Sequence, residues 1–165
     1  MPHSGKAAAT PQALVPDDDR SGPKPSFDVE AYNAVARTAK LRRIALLRSH
    51  FSVHPAYFTL MSTEKAPKPR YSGDFGKYYF DSEKGRATCE WKWGIKVVDK
   101  RKITLSIGVI YIIIYSGLEN QNEDSVIRYL KRVGRFSSYP YFRAHVSQLN
   151  WESGANLPIL PTIAT

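Results

Sequence analysis

Two neighbouring runs of strict alternation constrain the fold of this chain most. Apolar side chains occupy every second position from Cys89 to Val97, and the same pattern returns from Ile103 to Tyr115. A period of two is typical of a strand with one buried face. The polar segment Asp99-Lys100-Arg101 separates the runs, so the second strand should return antiparallel to the first. The centre of the chain is therefore predicted to be an antiparallel hairpin with one apolar face.

The second strand of this hairpin becomes apolar on both faces. Ile110, Ile112 and Ile114 form a second apolar row where the start of the strand carries Thr104 and Ser106. An apolar outer face is usually covered by another element or subunit. A partner subunit is one candidate for covering this row.

The segment before the hairpin predicts a helix, a strand and a crossover. Apolar residues recur at helical spacing over Phe27–Leu41, and residues 47–53 alternate as a strand does. Residues 55–86 contain many aromatic and turn-forming residues, which favours a long crossover with one hairpin arm at Lys77–Phe80.

Two helices are predicted after the hairpin. The first begins at Asn122, with acidic residues in its first turn, and ends at Gly134. The second has Pro140 in its first turn and ends at Gly154. The expected fold class is α+β: a four-stranded antiparallel sheet with a long crossover after the first strand and C-terminal helices packed on one side.

The second helix and the segment after it carry a residue pattern of aromatic-Pro-Tyr-x-Arg-x-x-Val-Ser-x-Leu, then glycine, then an extended Leu/Pro-rich stretch. The matching residues are Tyr139, Pro140, Tyr141, Arg143, Val146, Ser147, Leu149, Gly154 and Leu157–Pro161. This pattern resembles the C-terminal half of the export chaperone SecB and its relatives. The order of the predicted elements extends the resemblance over about residues 41–161.

The resemblance implies a chaperone that holds unfolded or partly folded polypeptide without nucleotide, metal or other cofactor. Aromatic rings give large apolar contact without demanding one sequence, which suits such binding. The expected client-binding residues are Phe51, Val53, Tyr57, Phe58, Tyr78, Tyr79, Phe80, Trp91, Trp93, Leu157, Ile159 and Leu160. The expected interface of a dimer or homotetramer comprises Tyr141, Phe142, His145, Val146, Leu149, Ile110, Ile112 and Ile114.

Two roles within that family stay open. Export chaperones of the SecB type present acidic residues on the outer sheet face to the motor SecA. Here that face is expected to carry Lys92, Lys96 and Lys102 beside Glu90. The chain is therefore either a protein-transport chaperone with SecA as a partner or a client-specific chaperone of an antitoxin in a toxin–antitoxin system.

The net charge of +9 favours an anionic partner or simply solubility. Three basic and three acidic residues cancel within residues 1–26, which are predicted to form a disordered tail. The whole excess thus belongs to residues 27–165, the expected SecB-like domain. A basic nucleic-acid-associated binding protein is the alternative function, although no RNA-binding motif is present.

Single residues with catalytic potential do not form a recognisable site. Cys89 is the one cysteine, so no disulfide can form within the chain, and a reducing cytoplasm is expected. His50 and His54 are too few for a metal site, and Gly73–Gly76 is interpreted as a loop. The apolar run within 103–115 is shorter than the roughly 20 residues of a membrane-spanning helix. We therefore predict neither an enzyme nor a membrane protein.

Overall fold

The computed structural model describes residues 28–63 and 67–162. Its elements are the helix α1 (Val29–Thr38), the strand β1 (Lys40–Val53), the helix α2 (Ala56–Met61), the strands β2 (Arg70–Asp81), β3 (Arg86–Asp99) and β4 (Lys102–Ser116), and the helix α3 (Glu123–Ser153). The tail predicted for residues 1–26 lies outside the described residues.

The four strands form one antiparallel sheet in the order β1-β4-β3-β2. The predicted hairpin is confirmed, because Trp91 lies opposite Tyr111 and Trp93 lies opposite Val109. β1 and β2 are consecutive in the chain but occupy opposite edges of the sheet. The connection between them, which contains α2, is therefore the predicted crossover.

The strand β2 is longer than the predicted hairpin arm. It runs over Arg70–Asp81 rather than Lys77–Phe80, so Gly73 and Gly76 lie within a strand and not in a loop. A Cβ on Gly73 would lie 2.7 Å from Cε3 of Trp93 on the neighbouring strand. Glycine here allows a large aromatic side chain to approach the backbone, which explains why a turn interpretation was wrong.

A single helix replaces the two predicted C-terminal helices. α3 begins where expected, since the Asn122 side chain accepts a hydrogen bond from the Ser125 amide at 3.1 Å. Gly134 does not end it: this glycine is buried, and a Cβ there would lie 2.9 Å from Cδ1 of Trp91. Gly134 thus allows α3 to pack closely against the sheet. Gly154 ends the helix in the left-handed conformation, at φ 63°, as predicted.

Pro140 lies inside α3 rather than in a first helical turn. Proline lacks the amide N–H and normally breaks a helix interior. Here the helix is held against the sheet on both sides of the proline. The Trp93 Nε1 donates a hydrogen bond to Ser138 Oγ at 3.0 Å, and the Phe142 ring stacks on Trp93 with centroids 5.5 Å apart. Tertiary packing therefore offsets the missing helical hydrogen bond.

The core lies between α3 and one face of the sheet. Alternate residues of β3 and β4 from Ala87 to Val97 and from Leu105 to Tyr115 are buried there. α1 begins at the Asp28 cap and ends at Thr38, three residues before the predicted end, because Leu41 already pairs with Tyr115 in the sheet.

Candidate functional site

The C-terminal extended segment, residues 155–162, is fixed beside the helices by side-chain hydrogen bonds. The Tyr57 hydroxyl of α2 donates to the Ala155 carbonyl at 2.6 Å. The Asn150 amide group both donates to the Leu157 carbonyl and accepts from its N–H, at 3.2 and 2.7 Å. The Tyr139 hydroxyl donates to the Pro161 carbonyl at 2.7 Å. These hydrogen bonds fix the extended segment against α2 and α3.

A cleft of about 670 Å³ opens at the end of the sheet, between α2 and the β3–β4 turn. Its lining residues are His54, Ala56, Thr59, Leu60, Asp99, Lys102, Ile103 and Thr104. Ile103 stands out because 53% of its surface is exposed to water. Covering an apolar side chain of this kind with other apolar groups is favourable. The cleft thus combines an apolar patch with a polar rim.

The backbone around this cleft is held in place on both sides. The His54 Nδ1 accepts a hydrogen bond from the Ala56 amide at 3.2 Å, and the His54 amide donates to the Thr104 carbonyl at 2.8 Å. In the β3–β4 turn, Lys100 and Arg101 have φ angles of 49° and 111°. Both φ angles are positive, as a two-residue hairpin turn of type I′ requires. The cleft is therefore preformed rather than dependent on a loose loop.

The predicted client-binding residues divide by exposure. The exposed members are Phe58, Tyr78, Tyr79 and Ile159. The partly buried members are Phe51, Val53 and Phe80. The buried members are Tyr57, Trp91, Trp93, Leu157 and Leu160. In this conformation only the first two groups present side-chain surface to a client.

Trp91 and Trp93 illustrate the buried group. Their rings stack at 5.7 Å between centroids under α3, and Trp91 is only 5% exposed. The Trp91 Nε1 donates to the Leu130 carbonyl at 3.4 Å. The two rings therefore hold the helix on the sheet and support the surrounding surfaces.

The residues predicted for self-association also lie in different environments. Phe142 and Val146 are buried within the protomer, whereas Tyr141 is exposed. The residues of intermediate exposure are His145, Leu149, Ile110, Ile112 and Ile114. His145 Nε2 and Ser49 Oγ lie within hydrogen-bond distance at 2.8 Å, which ties α3 to β1. The exposed part of this set remains available to a second copy.

The apolar residues that were not predicted from the sequence include the half-buried Leu60 and the exposed Ile103 in the cleft, and Trp151, which is 89% exposed near the end of α3. Trp151 could have been found, because it falls off the apolar stripe that Phe142 and Val146 define at helical spacing. The cleft residues had no local signal, since they meet from separate parts of the chain.

Burial keeps two titratable side chains of the described core protonated at neutral pH. Burial raises the pKa of the Cys89 thiol to about 12 and the pKa of the Tyr111 hydroxyl to about 12. A thiol of that pKa is protonated and unreactive at neutral pH. In residues 28–63 and 67–162, no three His, Cys, Asp or Glu side chains come close enough to hold a metal ion.

Comparison with solved structures supports the fold. No family model and no curated protein matches the chain. The chain is similar to the SecB-like chaperone Rv1957 of Mycobacterium tuberculosis, solved in complex with a ChAD peptide from the antitoxin HigA1, Rv1956. The match covers 82% of this chain and 96% of that one, at 21% identity and a TM-score of 0.61.

The chain has a SecB-like fold. At 21% identity the likeness extends to the fold alone. A protein of unknown function from Streptococcus agalactiae matches 77% of this chain and 97% of its own, at 12% identity and a TM-score of 0.34, too low to support an argument.

Within the part of the chain that the structure describes, no helix is both long enough and apolar enough to cross a bilayer.

Proposed function

We propose that this protein is a SecB-like chaperone that holds unfolded or partly folded polypeptide in the cytoplasm. The observation that carries the proposal is the preformed cleft beside α2, whose apolar patch of Ala56, Leu60 and Ile103 lies within a polar rim. Such a patch gains free energy by covering apolar side chains of a client. The SecB-like relative, which was solved with an antitoxin peptide, supports a polypeptide as the bound partner.

The β2 edge gives the client a second point of contact. β2 is paired on one side only, so its outer N–H and C=O groups can pair with an extended chain. Tyr71, Tyr78 and Tyr79 are exposed along this strand. Main-chain pairing beside aromatic side chains binds many sequences, as a holding chaperone requires.

Self-association completes the proposal. β1 is the opposite edge of the sheet, and it exposes about half of the surface of Leu41, Leu46 and Leu47. We expect dimers to form through this edge. Dimers would then pair through the exposed face of α3 around Tyr141 and Trp151.

The charge distribution favours a dedicated client over the export role. Lys92 and Lys96 are exposed on the outer sheet face, where the export chaperones present acids to SecA. A client-specific chaperone, such as one for an antitoxin, needs no such acidic face. Nucleic-acid binding stays as the second candidate, supported by the net charge of +9.

The test measures binding of a permanently unfolded polypeptide, such as a reduced and carboxymethylated test protein, by titration calorimetry. Ile103→Asp places a charge in the apolar patch and should weaken binding about tenfold. The substitution removes an apolar contact with the client, and binding would also take the new carboxylate out of water, which costs free energy. Val29→Asp is the matched control, since Val29 is 53% exposed on α1, away from the cleft. It should leave the affinity unchanged.

Equal loss in both variants, or no binding by the unchanged protein, would contradict the proposal. Circular dichroism of both variants checks that each retains the fold.

A further inference from the structure

A groove of about 440 Å³ lies along α3 over Trp91 of β3, separate from the cleft beside α2. We call it the basic groove; its lining residues are Trp91, Arg128, Lys131, Arg132, Arg135 and Phe136. The basic residues are three or four positions apart along α3, so they share one face of the helix. The groove therefore combines a row of cations with aromatic side chains.

Three exposed cations give the groove its charge. Within residues 28–63 and 67–162 the ion pair is Lys84 with Asp81, in the β2–β3 turn, so the cations of the groove that remain without one are Lys131, Arg132 and Arg135. Residues 125–151 of α3 contain no Asp or Glu. Arg128 already has an interaction partner and is left out of this set. The other three cations attract an anionic ligand.

The groove also contains an aromatic ring that a ligand can reach. Trp91 is only 5% exposed, and the Lys131 ammonium lies 5.6 Å from the centroid of the Phe75 ring. Phe136 is half-buried, and in the part of the chain that the structure describes neither another ring nor a cation lies against it. Phe136 and Arg132 are four residues apart and therefore neighbours on the helix surface.

The ring distinguishes between the anionic ligands that could bind these cations. The guanidinium of arginine fits a carboxylate and a phosphate equally well. An Asp or Glu side chain has no group that stacks on an aromatic ring, whereas a nucleobase does, and such stacking contributes to the binding of single strands. The bases of a duplex are already stacked on each other, so the ring can bind only an unpaired base. Cations beside an open ring therefore favour a single strand over an acidic peptide or a duplex.

We propose that the basic groove binds single-stranded nucleic acid, with phosphates on Lys131, Arg132 and Arg135 and an unpaired base on Phe136. This activity is additional to the holding of polypeptide and uses a different surface, so it does not rest on the cleft beside α2. It assigns a site to the nucleic-acid binding that the net charge of +9 favours.

The first test measures binding of a fluorescein-labelled oligothymidylate to the full chain by fluorescence anisotropy over a range of salt concentrations. Each phosphate neutralised on a single strand contributes about −0.7 to the slope of log K against log salt, so three cations predict a slope of about −2. The double variant Lys131→Gln, Arg135→Gln should bring the slope to about −0.7.

The matched control is Lys92→Gln, Lys96→Gln, which removes the same charge from exposed positions on the outer sheet face. It should leave the slope unchanged. No binding of the oligonucleotide at low salt, or an equal change of slope in both double variants, would overturn the proposal, because the attraction would then be absent or spread over the whole surface.

The second test concerns the ring. An abasic strand of the same length has the same phosphates without bases, so the unchanged protein should bind it about fivefold more weakly than oligothymidylate. Phe136→Leu should remove this difference and leave the salt slope unchanged. Equal binding of the two strands by the unchanged protein, or tighter binding of a peptide that alternates Asp with Val, would overturn the choice of nucleic acid. Oligouridylate is measured in parallel, since the 2′-hydroxyl distinguishes RNA from DNA as the source of the strand.

Binding of the unfolded test protein is measured on the same variants, so that the two proposals fail separately. It should depend on Ile103 and stay unchanged in Lys131→Gln, Arg135→Gln. Loss of polypeptide binding in this variant would overturn the assignment of two separate surfaces, whereas loss of oligonucleotide binding alone supports it.

Discussion

Gly134 sets the distance between α3 and the sheet at the scale of single residues. Its backbone touches Trp91, and any Cβ would enter the space of that ring. Helix propensity alone predicts that Gly134→Ala stabilises the protein by about 1 kcal/mol. We expect the opposite, a loss of about 1–3 kcal/mol in the free energy of unfolding, because overpacking forces the helix from the sheet. Urea denaturation measures the change.

Ala144→Gly, at an exposed position of the same helix, is the control for propensity. It should cost about 1 kcal/mol with no packing effect. A stabilising Gly134→Ala would show that the helix does not depend on this close approach.

The buried thiol and phenol predict how stability depends on pH. Burial raises the pKa of Cys89 from 9.0, and that of Tyr111 from 10.0, to about 12 in the folded state. The unfolded chain releases these protons first, so the stability that they contribute is full below pH 9 and falls as the pH rises towards 12. Urea midpoints measured across this window should decrease steadily.

The same burial should keep Cys89 unreactive towards thiol reagents in the native protein and fully reactive in denaturant. Rapid native labelling, or stability that rises with pH in this window, would contradict the burial of these groups.

At the scale of elements, the sequence predicted what local periodicity determines. The alternation of β3 and β4 was sufficient because each apolar residue, from Cys89 to Val97, is buried on the same face of the sheet. Prediction from local patterns failed at Gly73 and Gly134, where glycine permits contact with a tryptophan distant in sequence. A local pattern cannot distinguish such a contact from a turn or a helix end. The cleft was missed for the same reason, since Leu60 and Ile103 meet only in the folded chain.

The edge strand β1 carries the prediction for assembly. Leu47 lies at a register shift in β1 and is 56% exposed. Leu47→Glu should reduce the molecular mass in solution from that of a tetramer to that of a dimer or less, because a charge at the edge prevents pairing with another copy through β1. Light scattering after size-exclusion chromatography measures this mass.

Tyr79→Glu on the opposite edge, also well exposed, should leave the oligomer intact. Unchanged assembly in Leu47→Glu, or dissociation in both variants, would contradict an interface at the β1 edge.

At the scale of the whole molecule, the SecB-like fold separates three surfaces. We propose that the cleft beside α2 and the free edge of β2 bind the client and that β1 mediates self-association. An apolar cleft should keep binding in salt, because ions screen contacts between charges and not apolar contacts.

The most direct measurement dilutes a chemically unfolded test protein into buffer, with and without this chain, and follows aggregation by light scattering at low and high salt. We expect suppression near one subunit of this protein per test-protein molecule, retained at high salt and lost with Ile103→Asp. No suppression by the unchanged protein, or suppression at low salt only, would show that the chain does not hold unfolded polypeptide through apolar contact.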